Sequence, residues 1–370
     1  MKDYTQWIDR LLERIGDETD AQREGRRRVA DVVNNRPTDV LPIAFGSPVE
    51  LHVPPPGRRE FEDPAAMLAM QLRGAASNAA AGSDAQPTVR VNLGVGFLTT
   101  AVGVEYLFFD DKMPWVNSHL SREQLDAWQP DGRLAEAGLL PRCREFIAYY
   151  RSKLPEHVHI YLADTQGVFD QAHLMRGNDF FIDLYDAPEF IDRLLDKCLT
   201  LYVEGSRLMK QWIGEADGQG YHGGIYLDRA AVRSCEDTTT LVSPAHIEAL
   251  VLPRLQRSLA AFGGGWVHYC GRSEGLWRGL MNAVPAAPVV NFGNPEMHDW
   301  PAVAADVLAA NKCYYGTIPR RPGEGLEDYF RRVLAPLDGE KRGLIFRPRL
   351  VGDESRQPQR ILDLWRGLQR

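Results

Sequence analysis

The 370-residue chain is poor in cysteine: it has five, an odd and scattered number at 143, 198, 235, 270 and 313. That excludes a disulfide-framed scaffold. Positive charge is also in deficit, with 43 Lys and Arg against 50 Asp and Glu, a net charge of -7. Such a chain is not a generalised nucleic-acid or anionic-membrane binder, though a local basic pocket is still allowed. No apolar run reaches bilayer-spanning length. The opening stretch, MKDYTQWIDRLLERIGDETD, is too polar for a secretory signal. The expectation is a cytoplasmic protein with reduced thiols and no membrane or nucleic-acid partner. A glycine-rich phosphate loop is missing as well. The first β-like run leads into GSPVELHVPPPG instead, which argues against an open dinucleotide-binding sheet.

Present instead is a regular alternation of β-like and helical stretches. Residues 1–38 predict a helical extension, with Trp7, Ile8, Leu11, Leu12 and Ile15 at helical spacing. The basic stretch REGRRRVADVV continues it and reads as a solvated helix face. Strands are predicted at 39–46, 88–94, 157–167, 230–238, 264–271, 287–294, 311–319 and 343–350. Helix starts are predicted at Asp63-Pro64, Ser243-Pro244 and Asn294-Pro295, with Asp186 and Glu189 as a capping box. Eight strand–helix units predict an α/β fold, a (β/α)8 TIM barrel spanning 39–370 as one domain. The long connection from Val95 to about Arg151 predicts a hairpin or lid.

In a barrel, chemistry gathers at the C-terminal strand ends. Those ends offer Asn92, then Asp164 and Gln166, then Glu236 and Asp237, then His268 and Cys270, then Asn291 and Asn294. Arg320 and Arg321 follow the seventh run, and Arg347 and Arg349 lie in the eighth. The sharpest pair is His268 and Cys270, in GGWVHYCG. Residues i and i+2 of a strand share a face about 7 Å apart, a span that one zinc ion can bridge with an imidazole and a thiolate.

The block CEDTTTLVSPAHIEALVLP, together with HYCG at 268–271, resembles the uroporphyrinogen decarboxylase-like superfamily. The likeness is nearest its cobalamin-dependent methyltransferase branch. The resemblance implies that His268 and Cys270 bind zinc and that zinc holds a thiol acceptor as its thiolate. A methyl group would then move between that small substrate and a corrinoid. The branch's third ligand, a cysteine near the last strand, has no counterpart in GLIFRPRLVGDESRQP. Glu236 or Asp237 is expected in its place, with Cys313 a weaker candidate. The resemblance also places Asp164 in a catalytic role beside Glu236. Asn92, Gln166, Asp237, Asn291 and Arg320 are expected to contact substrate. No DxHxxG corrinoid-binding motif occurs, so cobalamin would come in trans, free or on a corrinoid protein. The decarboxylases' own RQAGR-type motif is absent too. Two alternatives remain open: a metal-free lyase acting on a carboxylated substrate through Asp164 and arginines, and a non-catalytic barrel that binds a small ligand.

Overall fold

The computed structural model describes residues 3–130 and 132–370. The first two residues of the expected extension, and Asp131 in the long connection, lie outside the described residues.

Five strands form one parallel sheet, in the order Val232–Cys235, Gly265–Tyr269, Val289–Phe292, Cys313–Gly316 and Leu344–Phe346. Runs such as Val289-Val290 and Leu344-Ile345-Phe346 are buried throughout, as strands covered on both faces must be. A second parallel pair joins Thr88–Arg90 to His159–Tyr161. The expected first strand, 39–46, contributes one bridge, from Ile43 to Phe346. Pro42 carries no N–H, so the ladder cannot extend past it. The Asp84 carboxylate instead accepts the Ile43 N–H at 2.8 Å. Between the pair and the five-stranded sheet the chains are joined by a backbone hydrogen bond from Gly167 N to the Cys235 carbonyl at 2.8 Å rather than by a strand ladder. Each expected strand is shorter than its apolar run, and the pairing does not make one unbroken eight-stranded ladder.

Buried apolar residues fall into two groups. One surrounds the five-stranded sheet and includes Val267, Val290 and Ile345. The other surrounds the pair and includes Val89, Leu72 and Phe146. Leu162 and Val102 touch both. The expected N-terminal extension does not stand apart. In its two helices, Thr5–Ile15 and Asp20–Val33, Ile8 and Leu11 join the second group while Val29 and Val32 join the first. The basic face is only partly solvated. Arg23 pairs with Glu18 at the surface, whereas Arg28 is buried on Asp84 at 2.7 Å. That pair ties the helix to the chain beside Ile43.

Local signals set several helices. Asp63 accepts the N–H groups of Ala65 and Ala66 at the start of Pro64–Ala81, and Ser243 accepts that of His246. Two expected caps are corrected. Asp186 ends the helix Asp179–Asp186, and the next helix, Pro188–Ile213, starts after Ala187 with no side-chain cap. Asn294-Pro295 opens only the single turn Pro295–Met297, to which the Asn294 side chain gives no cap, and the helix Trp300–Ala309 is capped by Asp299. The segment after Val95 does contain a hairpin, Tyr106–Leu107 with Trp115–Val116.

A further hairpin, Gln219–His222 with Ile225–Asp228, was not legible as a strand pair. Its turn residues Gly223 and Gly224 have φ of 53° and 88°, the left-handed pair that tight hairpins favour. Gly224 N donates to Thr88 Oγ1 at 2.9 Å, and Gln86 N donates to the Gly224 carbonyl. The hairpin thus sits at the N-terminal ends of the strands. Among the described residues no helix is long and apolar enough to cross a membrane.

Candidate metal centre at the strand ends

Parallel register places Cys235 beside His268, and His268 beside Asn291. Register partners point to the same face and stand about 4.8 Å apart. Three polar side chains on three neighbouring strands therefore meet at one level. One level deeper, Arg233 and Trp266 are register partners, with the guanidinium 5.6 Å from the indole centroid. His222, from the hairpin, packs edge-on against Trp266 and Tyr161 below.

Ligand-capable atoms of Cys235, Asp237 and His268 all lie within 4.8 Å of one another. Cys270 Sγ is 3.6 Å from His268 Nε2, and the Cys270 N–H donates to Asp237 Oδ1 at 2.6 Å. The imidazole is held in one tautomer. Asn291 Nδ2 donates to the Tyr315 carbonyl, so its Oδ1 is the atom that meets His268 Nδ1, at 2.5 Å. An amide oxygen only accepts. Nδ1 therefore carries the proton, and Nε2 keeps its lone pair for Cys270 and the cluster.

Burial, reinforced by the Arg233 charge, lowers the His268 pKa, so the ring is neutral at pH 7. Burial pushes the Cys270 thiol up to about 11, aided by Asp237. Burial lifts Cys235 well above the usual thiol range. Two protonated thiols, a neutral imidazole and a carboxylate are a poor acid–base device at neutral pH. They make a good donor set for a soft divalent cation, whose charge reverses the thiol shifts.

Glu236 is not brought to this cluster. Its Oε1 accepts the Ser234 hydroxyl at 2.7 Å on the other side of the strand, against Gly167. A Cβ at residue 167 would stand 2.1 Å from that oxygen, so the glycine makes the space. Glu236 Oε2 is buried without a partner. Burial, with Asp170 nearby, raises this carboxyl well above its ordinary range, so it is a neutral acid. Asp237 does reach the cluster, as the first residue of the short helix Asp237–Leu241. Asp170 accepts the N–H groups of Asp237 and Thr238 at 3.0 and 2.8 Å and so holds that turn. Burial and the Asp237 charge push Asp170 up to about 7.

Asp164 lies at the end of the neighbouring strand, with Arg233 Nη1 at 2.6 Å and Arg90 Nη1 at 3.6 Å. Burial raises its pKa, but the two guanidiniums more than offset that and hold the carboxylate well below its usual range. It is a fixed anion, unsuited to proton transfer at neutral pH. Gln166, at a left-handed φ of 54°, donates to Asp164 Oδ1 at 2.8 Å. The Asn92 side chain donates to Met113 Sδ, 3.7 Å away in the chain of the first hairpin, and its backbone N–H donates to Met67 Sδ at 3.1 Å. Arg320 is taken by Glu354 at 2.6 Å. Asn294 accepts the Gly271 N–H. Cys313 is fully buried and turned to the Tyr314 carbonyl. A groove between helices Glu274–Asn282 and Trp300–Ala309 is lined by Trp277, Met281 and Val303 and contains none of these groups.

Sequence reasoning did not single out Cys235, Arg90 or Arg233. Strand alternation was the available signal: 233, 235 and 237 share a face, so an Asp237 that reaches His268 brings Cys235 with it.

No family model and no curated protein matches the chain. Among solved structures, a methyltransferase from Methanosarcina mazei has the same fold. The TM-score is 0.65, with 14% sequence identity, over 94% of this chain and 99% of that one.

Proposed function

We propose that this chain is a metal-dependent methyltransferase that moves a methyl group between a small substrate and a corrinoid carried by another protein. The observation that carries the reading is the convergence of Cys235, Asp237 and His268, with Cys270 3.6 Å from Nε2, at the strand ends. Its fold is that of the Methanosarcina mazei methyltransferase, which adds support. The eight runs would wrap into a (β/α)8 barrel. The bridge from Ile43 to Phe346 and the bond from Gly167 to Cys235 stand at its two thin seams. Superfamily membership among the uroporphyrinogen decarboxylase-like barrels and a cytoplasmic setting belong to the same reading.

The donor set fits zinc: two sulfurs, an imidazole nitrogen with its lone pair free, and a carboxylate. His268 and Asp237 with one thiol, Cys235 or Cys270, would hold it, leaving the fourth position for substrate. When bound, zinc lowers the pKa of a thiol or other heteroatom on the substrate so that it is nucleophilic at neutral pH. The chain's own residues do the rest. Asn291 fixes the imidazole, and Asp170 fixes the turn that presents Asp237. Asp164 holds Arg233 in place beside the site, and Trp266 and His222 keep water from the floor. A lyase reading leaves the grouping of thiols, imidazole and carboxylate without a use.

The test is metal analysis of purified protein with methylcobalamin turnover followed by absorbance, across thiols, methoxy compounds and methylamines. Near-stoichiometric zinc, lost in His268→Ala, and accelerated demethylation of the cofactor are expected. Metal-free protein that leaves methylcobalamin untouched would refute the reading.

A further inference from the structure

We infer that Cys235, and not the Cys270 of the H-x-C pair, is the thiolate of this metal site, and that Gly293 keeps the fourth position open by seating the Cys270 sulfur to one side. The inference rests on the metal of the proposed function and names which of its two thiols serves.

Three parallel strands run side by side at the cluster, with His268 on the middle one. Cys235 and Asp237 lie on one flank of that strand, and Asn291 and Gly293 on the other. Among the described residues, the only set of three or more His, Cys, Asp or Glu ligand atoms within 4.8 Å of one another is Cys235, Asp237 and His268. Ligand atoms on one tetrahedral zinc stand about 3.3–3.8 Å apart, so these three need to close in by about 1 Å at most. Cys270 Sγ reaches His268 Nε2 at 3.6 Å but belongs to no such set. What Cys270 gives Asp237 is its main chain. Its N–H donates to Oδ1 at 2.6 Å, which leaves Oδ2 for the ion.

The Cys270 sulfur sits where it does because residue 293 has no side chain. A Cβ there would stand 2.4 Å from Sγ, far inside van der Waals contact. The backbone does not call for glycine at this point. Its φ is not left-handed, and its N–H donates to the Tyr269 carbonyl at 2.9 Å as any residue's could. The space therefore serves the thiol. Gly316 treats a neighbour in the same way, since a Cβ there would stand 2.8 Å from Asn291 Nδ2. Glycines at the strand ends thus set where the polar groups of the site point. Cys235 needs no such seat. It is buried, on its strand and in register with His268, whereas Cys270 is exposed and lies just past its strand. A side chain already confined loses less rotamer freedom on taking a metal. Cys235, Asp237 and His268 leave a position toward the mouth for substrate, as a catalytic zinc needs; a fourth protein ligand from Cys270 would close the site.

The experiment loads the metal-free whole chain with Co(II), whose near-ultraviolet thiolate-to-metal absorbance counts the sulfurs on the ion. Zinc affinity is measured alongside by competition with a chromophoric chelator. The parent should show the band of one thiolate. Cys270→Ser should keep that band, with zinc affinity within about threefold of the parent. Cys235→Ser should lose it, and zinc affinity should fall by more than about 100-fold, beyond the cost of an outer partner. Gly293→Ala expels the Cys270 sulfur from its seat toward the ion, so the band should roughly double, one thiolate becoming two. Adding Cys270→Ser to Gly293→Ala should restore the single band. A band lost or halved in Cys270→Ser, an exposed change that does not threaten the fold, overturns the inference and leaves the proposed function standing. So does a Gly293→Ala band equal to the parent's. A parent chain that takes up neither cobalt nor zinc refutes the proposed function and this inference with it.

Discussion

Asn291 decides which nitrogen of His268 is free. Its amide nitrogen is committed to the Tyr315 carbonyl, so its oxygen must face Nδ1. Outer partners of this kind orient metal-binding imidazoles, and losing them costs about 10- to 100-fold in affinity. Asn291→Leu should therefore weaken zinc binding by about that factor. The far-ultraviolet circular dichroism should be unchanged. Competition with a chromophoric chelator measures it, and affinity equal to that of the parent would show that the tautomer is set elsewhere.

Cys235 and Glu236 are adjacent, yet they should behave oppositely. Cys235→Ser removes a sulfur from the cluster and should strip most of the zinc. Glu236→Gln exchanges a neutral acid for a neutral amide that can still accept from Ser234. Its stability should stay within about 1 kcal/mol of the parent, with zinc retained. Metal analysis of the two variants side by side separates the readings, and the reverse pattern would make Glu236 the ligand.

Metal affinity should fall as pH falls. In the metal-free protein burial holds Cys270 near 11 and lifts Cys235 well above the usual thiol range, so each thiol that binds zinc as thiolate must first release a proton. Below the thiol pKa each such proton contributes about one log unit of affinity per pH unit. The slope from pH 8 to pH 6 should thus lie between about one and two. His268, with its lowered pKa, adds little over that range. A flat profile would remove both thiols from the ligand set.

Asp164→Asn should destabilise the fold by about 1–3 kcal/mol at pH 7, because it leaves the largely enclosed Arg233 without its nearest counter-ion. The sign with pH follows from the lowered folded-state pKa. The carboxylate's contribution is complete above the unfolded value, near 3.8, and is lost as pH falls through the folded value. Denaturant titrations at pH 7 and pH 3 should show the gap between parent and variant narrowing in acid. A gap that widens in acid would contradict the pairing.

The parts of this molecule that follow from local rules were readable in advance. Apolar runs located every strand of the five-stranded sheet, and Asp63 and Ser243 marked helix starts correctly. Asp186 and Asn294 carried the same signal and failed. A cap depends on where the preceding chain ends, and at Asp186 one helix runs almost into the next. His268 and Cys270 could be paired in advance because they lie two residues apart, at the end of the strand Gly265–Tyr269 and just past it. Cys235 could not, because its place beside His268 is a fact of register between strands far apart in sequence. Arg320 and Arg347 looked alike as basic residues near strand ends. Only the position of Glu354 distinguishes them, and no spacing rule predicts that partner.

The hairpin Gln219–Asp228 has a kinetic consequence. Among the described residues it covers the N-terminal ends of the strands, with His222 set against Trp266, so that the cluster is approached along that axis from the strand-end mouth. A one-door chamber imposes a queue. On the proposed function, a small molecule would be seated before the carrier protein covers the opening, and the spent molecule would not leave until that cover lifts. Turnover would then follow a compulsory order, and excess carrier protein would inhibit by trapping the chamber shut.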